Sequence, residues 1–280
     1  MKAHDGVYRN RHNNQTPAEE QAMILVFVIV LGLVLGSFVN VVIHRGPYWW
    51  GLQDPATQRH GFGPRSRCPS CGAQIRSWDN IPLISFFLLR GRCRDCGAVI
   101  SPLYLVVEGL GALVAVTGFA LFGATPTGAA FAAYGFCLIA LGAIDARTGF
   151  LPDGLTLPLL GFGLGFNALG DGFVPLADAG VGAAVGGGVF LAVALGYRAL
   201  RGHDGLGLGD AKLLAAIGAW FGWPVLAPVV LLSSLSALAF LLVSARGKPL
   251  SATQEIRFGP ALCFAGFCVP VLGYFMPQIS

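Results

Sequence analysis

The chain of 280 residues has very few charged side chains, since Asp, Glu, Lys and Arg together make up only 11% of it. Soluble domains carry about 25% charged residues, so this chain has too little charge to cover a water-exposed surface. A soluble globular enzyme is therefore excluded. Intrinsic disorder is excluded as well, because 55% of the residues are hydrophobic and a solvated coil contains few of them.

Long apolar runs are what the sequence has instead. Crossing a bilayer takes about 20 apolar residues, and the candidate runs are 23–43, 103–122, 129–144, 155–169, 179–197, 211–223, 225–244 and 260–275. The 40 glycines have no collagen-like period and lie among Leu, Val and Ala, where they are typical of close helix contacts. The sequence predicts an all-α polytopic membrane protein with about eight transmembrane helices.

Basic residues predict the orientation of these helices. Eight alternating crossings place 15 of the 18 Lys and Arg residues on the side of the polar segment 45–101 and three in the N-terminal tail. Basic loops face the cytoplasm, so we expect segment 45–101 in the cytoplasm and both termini outside. The predicted division is a tail (1–22), a first transmembrane helix (23–44), a cytoplasmic segment (45–101) and a seven-helix membrane domain (102–280).

The net charge of +4 does not indicate nucleic-acid binding, because the basic residues are spread over juxtamembrane loops. Membrane lipid, whose headgroups include anionic ones, is the expected partner of such loops.

Four cysteines stand out in the polar segment. They form two C-x-x-C pairs, Cys68/Cys71 and Cys93/Cys96. The pairs are separated by 21 residues, and each pair is followed by a glycine. Four thiolates at this spacing are typical of a tetrahedral structural Zn²⁺ site. Disulfides or a redox pair are the alternatives, but a reducing cytosol and the duplication argue against both.

Acidic residues in or beside apolar runs are the next candidates, because charge there is costly and often functional. Glu108, Asp145, Asp153 and Asp210 qualify. Asp145 ends the third run and Asp210 begins the sixth, so topology places both near the cytoplasmic face.

Two carboxylates that meet at that depth would share one proton. One would act as general base on water while the other polarises a peptide carbonyl. Gly207 and Gly209 would let an extended substrate approach Asp210. The alternatives are structural: Asp153 would cap a helix, and Asp145 would pair with Arg147 or Lys212 as a topological anchor.

Several motifs together resemble the type IV prepilin peptidases, the leader peptidase/N-methyltransferases of pilus and type II secretion systems. They are, in chain order, Gly36-Ser37-Phe38-Val39-Asn40 with His44-Arg45, the paired cysteines with Asn80-Ile81-Pro82 between them, Glu108, Ile144-Asp145 with Leu151-Pro152-Asp153, Gly207-Leu208-Gly209-Asp210-Ala211-Lys212, and Phe258-Gly259-Pro260. The resemblance covers nearly all of the chain after residue 30.

The resemblance implies an aspartic endopeptidase in the bacterial inner membrane, with Asp145 and Asp210 as catalytic residues at the cytoplasmic face. Gly207, Gly209, Lys212, Glu108 and Asp153 would support the site. The implied substrates are prepilins or pseudopilins, whose basic leader is removed. The retained cysteines imply a second activity, N-methylation of the new N-terminus with S-adenosylmethionine.

Two other classes of function compete with this expectation. A transporter or channel would use Asp145 and Asp210 as a proton or cation relay, and a non-enzymatic secretion-assembly protein would need neither. A relay predicts carboxylates near the middle of the bilayer, whereas both residues lie at the ends of their apolar runs.

Overall fold

The computed structural model describes residues 17–54, 66–170, 172–201, 207–245 and 257–275, so most of the predicted tail 1–22 lies outside the described residues. Within these ranges the regular secondary structure is helical, with two isolated β-bridges. The α-helices are α1 (Pro17–Trp49), α2 (Ile84–Leu88), α3 (Leu103–Phe122), α4 (Pro126–Thr148), α5 (Asp153–Ala168), α6 (Leu176–Arg201), α7 (Leu208–Phe221), α8 (Leu226–Ala245) and α9 (Gly259–Phe275). The predicted all-α class is confirmed.

Each of the eight predicted apolar runs corresponds to a helix. Five helical stretches are long and apolar enough to cross a membrane: Glu19–Trp49, Leu103–Phe122, Pro126–Thr148, Leu176–Leu200 and Trp223–Ser244. The helices α5, α7 and α9 are shorter, with 16, 14 and 17 residues. The multi-pass architecture is therefore established, while a total of eight crossings stays a prediction.

The shortest of these three helices, α7, is enclosed by its neighbours. It packs against α5, α6 and α9. Its buried residues are Asp210, Ala211 and every residue from Leu213 to Trp220. Because other helices cover nearly all of α7, it does not need the length of a lipid-facing helix.

Glycines bring the helix backbones into direct contact, as their distribution predicts. A side-chain carbon added to Gly111 of α3 would lie 2.6 Å from the Gly32 carbonyl oxygen of α1. The same addition to Gly186 of α6 would lie 2.7 Å from the Leu214 carbonyl oxygen of α7. Small residues at such crossings allow close packing where no hydrophobic effect drives helices together.

The buried side chains form two clusters that share α4. The larger one joins α4, α5, α7, α8 and α9 around Tyr134, Leu213 and Leu262. The smaller one consists of Val39 and Ile43 of α1, Val107 of α3 and Ala140 of α4. Residues 66–101, here called the cysteine segment, lie between α1 and α3 in the sequence, with a 3-10 turn at Ser77–Asn80 and the short α2.

Candidate active site and metal centre

Asp145 lies in the last turn of α4, where the sequence itself ends the helix. Gly149 follows with a left-handed φ of 75°, and its amide donates a hydrogen bond of 2.8 Å to the Asp145 carbonyl. Glycine tolerates this conformation because it has no Cβ. The Asp145 side chain is buried, with 6% of the residue exposed.

Asp210 is the third residue of α7, which begins at Leu208. Its amide donates a 3.0 Å hydrogen bond to the Gly207 carbonyl, and only 9% of the residue is exposed. Both predicted glycines leave space here. A side-chain carbon would lie 3.2 Å from Asp210 Oδ2 if added to Gly207, and 3.0 Å from Leu151 Cβ if added to Gly209.

The structure brings the two aspartates together. The helix ends that carry them meet at α9, which packs against both α4 and α7, and the charges of Asp145 and Asp210 act on each other. Both charges also reach the Cys263 thiol on α9, and a side-chain carbon added to Gly142 of α4 would lie 3.3 Å from Cys263 Cβ. The last turn of α4, the first turn of α7 and the first turns of α9 therefore enclose one buried acidic site.

The residues just before and at the start of α9 line the Asp145 side of this site. A side-chain carbon added to Gly259 would lie 2.6 Å from Asp145 Oδ2, and the Gly259 amide faces the carboxylate. Arg257 acts on the same carboxylate electrostatically and donates a hydrogen bond to the Ala146 carbonyl. Among the described residues, the buried Asp145 Oδ2 atom has no hydrogen-bond partner.

Lys212 and Asp153, both predicted to support the site, pair with each other. The Lys212 Nζ atom lies 2.6 Å and 2.8 Å from the two Asp153 carboxylate oxygens. Asp153 is the first residue of α5, and the N-cap position before it is held by Pro152, whose side chain makes no capping bond. The pair is exposed and links the start of α5 to α7, two residues after Asp210.

Arg147 connects α4 to α1. Its Nη1 atom donates to the Ile43 carbonyl at 3.3 Å and lies 3.1 Å from His44 Nδ1. The sequence left open an ion pair between Arg147 and Asp145, but the contacts found for the Arg147 guanidinium are with α1 instead. They also place the end of α1 beside the end of α4.

Glu108 belongs to a different part of the molecule. It is buried in α3, and its Oε2 atom accepts a 2.8 Å hydrogen bond from the Leu83 amide of the cysteine segment. The contact found for this carboxylate therefore runs to the cysteine segment and not to the aspartate pair.

The four predicted metal ligands converge in the cysteine segment. The sulfur atoms of Cys68, Cys71, Cys93 and Cys96 all lie within 4.8 Å of one another, and those of Cys68 and Cys96 are 3.9 Å apart. Sulfurs bound to a tetrahedral zinc at about 2.3 Å are separated by about 3.8 Å. The donor set and its spacing thus suit a metal ion of this kind.

The two halves of the cluster repeat one backbone design. The first cysteine of each half donates its amide to the carbonyl five residues later, at 2.9 Å from Cys68 to Ala73 and at 2.8 Å in the second half. Gly72 and Gly97 follow the second cysteines with φ of 73° and 71°. Each half is a tight turn that only glycine adopts without strain.

The Cys68 thiol is poised to ionise. Burial opposes its ionisation, but the backbone amides of Cys71 and Ser70 and the neighbouring thiols outweigh burial and lower its pKa to about 7. The thiolate is the form that binds metal.

An ion pair that sequence reasoning missed fastens the second half to the 3-10 turn at Ser77–Asn80. Arg94, inside the second C-x-x-C pair, donates to both Asp79 oxygens, at 2.8 Å from Nε and 2.5 Å from Nη2. The hydrogen bonds and charge of Arg94 lower the pKa of Asp79. The contact of Arg257 with Asp145 was missed as well. Arg257 is one of 18 basic residues, and nothing in the sequence marks it as the one that lies beside a catalytic candidate.

A helical membrane bundle with two buried aspartates at converging helix ends, beside a separate four-thiol cluster, has the features of a membrane aspartic peptidase. Residues 30–122 match the bacterial peptidase A24 N-terminal domain and residues 131–242 match the type IV leader peptidase family. The chain belongs to the type IV leader peptidase family, which confirms the resemblance seen in its motifs.

Relatives are similar over most of their length. A prepilin leader peptidase/N-methyltransferase of Burkholderia pseudomallei is 44% identical over 263 residues, covering 87% of this chain and 84% of its own. The protein of the same name from Dickeya chrysanthemi is 42% identical, covering 86% and 90%. The one from Klebsiella pneumoniae is 45% identical over 212 residues, covering 75% and 91%. No solved structure matches the chain.

Proposed function

We propose that this protein is a membrane aspartic endopeptidase that removes the basic leader from prepilins or pseudopilins, and that it N-methylates the new N-terminus. The observation that carries the peptidase half is the convergence of Asp145 and Asp210, from different helices, into one buried site. The names of its relatives support both halves of the proposal.

Asp145 and Asp210 are proposed to divide the chemistry of peptide hydrolysis. Two carboxylates at close range hold one proton between them. The ionised one takes a proton from water as the water oxygen attacks the scissile carbonyl, and the protonated one donates its proton to the carbonyl oxygen. When the tetrahedral intermediate collapses, the C–N bond breaks and the leaving amine takes up a proton from the pair.

The position of the site suits a substrate that is half in the membrane. Both aspartates lie in terminal turns of their helices, so a substrate with an apolar helix in the bilayer would present the bond between leader and helix at this depth. We propose that this end faces the cytoplasm, as the basic loops indicate, and that the protein resides in the bacterial inner membrane. An ion relay would need its carboxylates deeper in the bundle.

The cysteine segment is proposed to hold one structural Zn²⁺ through Cys68, Cys71, Cys93 and Cys96. Four protein ligands leave no open coordination position, so the ion would fix the fold of the segment. S-adenosylmethionine is the proposed source of the methyl group. Gly207, Gly209, Lys212, Asp153 and Glu108 are proposed as supporting residues, with Glu108 serving the methyltransferase half.

Prepilin cleavage by purified, reconstituted protein tests the peptidase assignment. We expect Asp145→Asn and Asp210→Asn each to lower the cleavage rate by about 10²–10⁴-fold, the usual contribution of a general acid or base. Asp178→Asn is the matched control, because Asp178 lies in the first turn of α6 beside Gly222, at the opposite end of α7 from Asp210, and its loss should leave cleavage nearly unchanged. Full cleavage by either pair variant would contradict the proposal.

A further inference from the structure

A second buried polar site lies between α1 and α3, beneath the cysteine segment. Glu108 is 8% exposed and accepts one hydrogen bond, from the Leu83 amide at 2.8 Å. Within the described ranges, no Lys or Arg forms an ion pair with it. A buried carboxylate whose partner is a single neutral amide is costly, so the site has capacity for a cation.

Asn40 supplies a second unfilled acceptor. It is 2% exposed, and its Nδ2 atom donates to the Tyr104 carbonyl at 3.2 Å. Its Oδ1 atom is buried and has no hydrogen-bond partner among the described residues. A buried amide oxygen is normally satisfied, so an orphaned one points to a missing donor.

Packing of α1 on α3 places these two acceptors on facing turns. A side-chain carbon added to Gly36 would lie 2.9 Å from Glu108 Cα, and Asn40 follows Gly36 by one helical turn, just as Glu108 follows Tyr104. Side chains on a helix tilt toward its N-terminus, so Asn40 leans toward the turn of Glu108 and Glu108 leans toward the turn of Tyr104. The two side chains therefore lie on adjoining turns of the same helix interface.

The chemistry of the site selects a primary ammonium group. An ionised carboxylate and an amide oxygen both accept hydrogen bonds, and an ammonium group donates up to three while neutralising the carboxylate. Methyl transfer to a peptide N-terminus involves two such groups: the N-terminal amine released by cleavage and the α-amino group of S-adenosylmethionine.

The site is near the aspartate pair yet separate from it. The cluster of Val39, Ile43, Val107 and Ala140 fills the space where α1, α3 and α4 meet, and Asp145 follows Ala140 by little more than one turn of α4. Packed helix axes are about 8–10 Å apart, so the two sites belong to neighbouring helix interfaces of one bundle.

We propose that Glu108 and Asn40 form an amine-binding site that holds a primary ammonium group for the N-methyltransferase reaction. This inference rests on the methyltransferase half of the proposed function and does not involve the peptidase half. In this proposal Glu108 binds an ammonium group as well as the Leu83 amide. In a purely structural role, Glu108 would only fasten the cysteine segment to α3.

Binding to full-length protein in lipid nanodiscs tests the site without an activity assay. One arm compares a peptide that has a free N-terminal amine and an apolar sequence with its N-acetylated form. The other compares S-adenosylhomocysteine with its N-acetylated form, which keeps the carboxylate but lacks the ammonium. We expect the wild type to prefer the free-amine probe by about tenfold or more in at least one arm, the scale of hydrogen bonds to a charged group. The arm that shows it identifies the source of the amine.

The variants separate charge from structure. Glu108→Gln keeps an oxygen that accepts from the Leu83 amide but loses the charge, and Asn40→Ala removes the orphaned acceptor, so both should lose the amine preference. Asn167→Ala, which removes a buried amide from the contact between α5 and α7, should retain it. Asp145→Asn should also retain it while abolishing cleavage, which distinguishes this inference from the peptidase assignment. No preference in the wild type, or full preference in Glu108→Gln, would overturn the proposal.

Discussion

The aspartate bundle and the cysteine segment are held together by different physical means. Helices pack around the aspartates with buried apolar side chains and glycine contacts, so that site is fixed from all sides. In the cysteine segment Ser77–Asn80 and α2 have no buried residue, and tight turns, an ion pair and four thiols hold it instead. We therefore expect the first region to be stable as a packed bundle and the second to depend on the proposed Zn²⁺.

Removing one metal ligand should have the largest effect, and the effect should be confined to the cysteine segment. We expect the wild type to hold about one zinc per chain and Cys68→Ser to lose it, because the variant removes one of only four ligands of the proposed structural site. Elemental analysis of purified protein measures the loss. Prepilin cleavage should continue, since the aspartates belong to a different packing cluster. Cleavage that disappears together with the zinc would show that the regions are not independent.

Adding a side chain next to Asp145 tests the packing of the aspartate bundle. Gly259→Ala would place a carbon 2.6 Å from Asp145 Oδ2, so the carboxylate must move. Displacements near 1 Å in a catalytic site cost about 10²-fold in rate, and we expect a loss of about 10–100-fold in prepilin cleavage with zinc content unchanged. Gly161→Ala is the control, because nothing lies within 4 Å of the added carbon. Equal rates for the two variants would argue against the described geometry.

The Asp79–Arg94 pair offers a smaller test of the cysteine segment. Hydrogen bonding to Arg94 lowers the pKa of Asp79 below its ordinary value of 3.8, so the pair contributes fully at neutral pH and is lost only as the pH falls through that lowered pKa. Asp79→Asn should speed zinc transfer to a chelator at about pH 7 by a few-fold, the scale of an exposed ion pair. Asp95→Asn removes the exposed acid next to Arg94 in the sequence and should have less effect.

The exposed Lys212–Asp153 pair should matter least. Its side chains are 40% and 56% exposed, and exposed ion pairs contribute about 0–1 kcal/mol. Lys212→Met is therefore expected to change the thermal stability of the bundle only slightly. A large loss of stability would mean that the pair holds α5 against α7 more firmly than its exposure indicates.

Local patterns in the sequence were sufficient for the helices and for the thiol cluster. Apolar runs predict α1 and α3 to α9, because crossing a membrane requires them. Each C-x-x-C pair forms its turn from neighbouring residues, so the cluster is also predictable from local sequence. Asp145 and Asp210 were recognisable because charge is scarce in apolar runs. The sequence could not show that Lys212 pairs with Asp153, or that Glu108 reaches the Leu83 amide. Those contacts join residues far apart in the chain, and helix packing decides them.

Combining the two aspartate substitutions is the most direct test of the central claim that Asp145 and Asp210 form one catalytic unit. Residues that act as a unit are strongly non-additive in their effects on rate. Prepilin cleavage should therefore fall to about the same residual rate in Asp145→Asn, in Asp210→Asn and in the double variant. A double variant whose loss equals the product of the two single losses would contradict the claim.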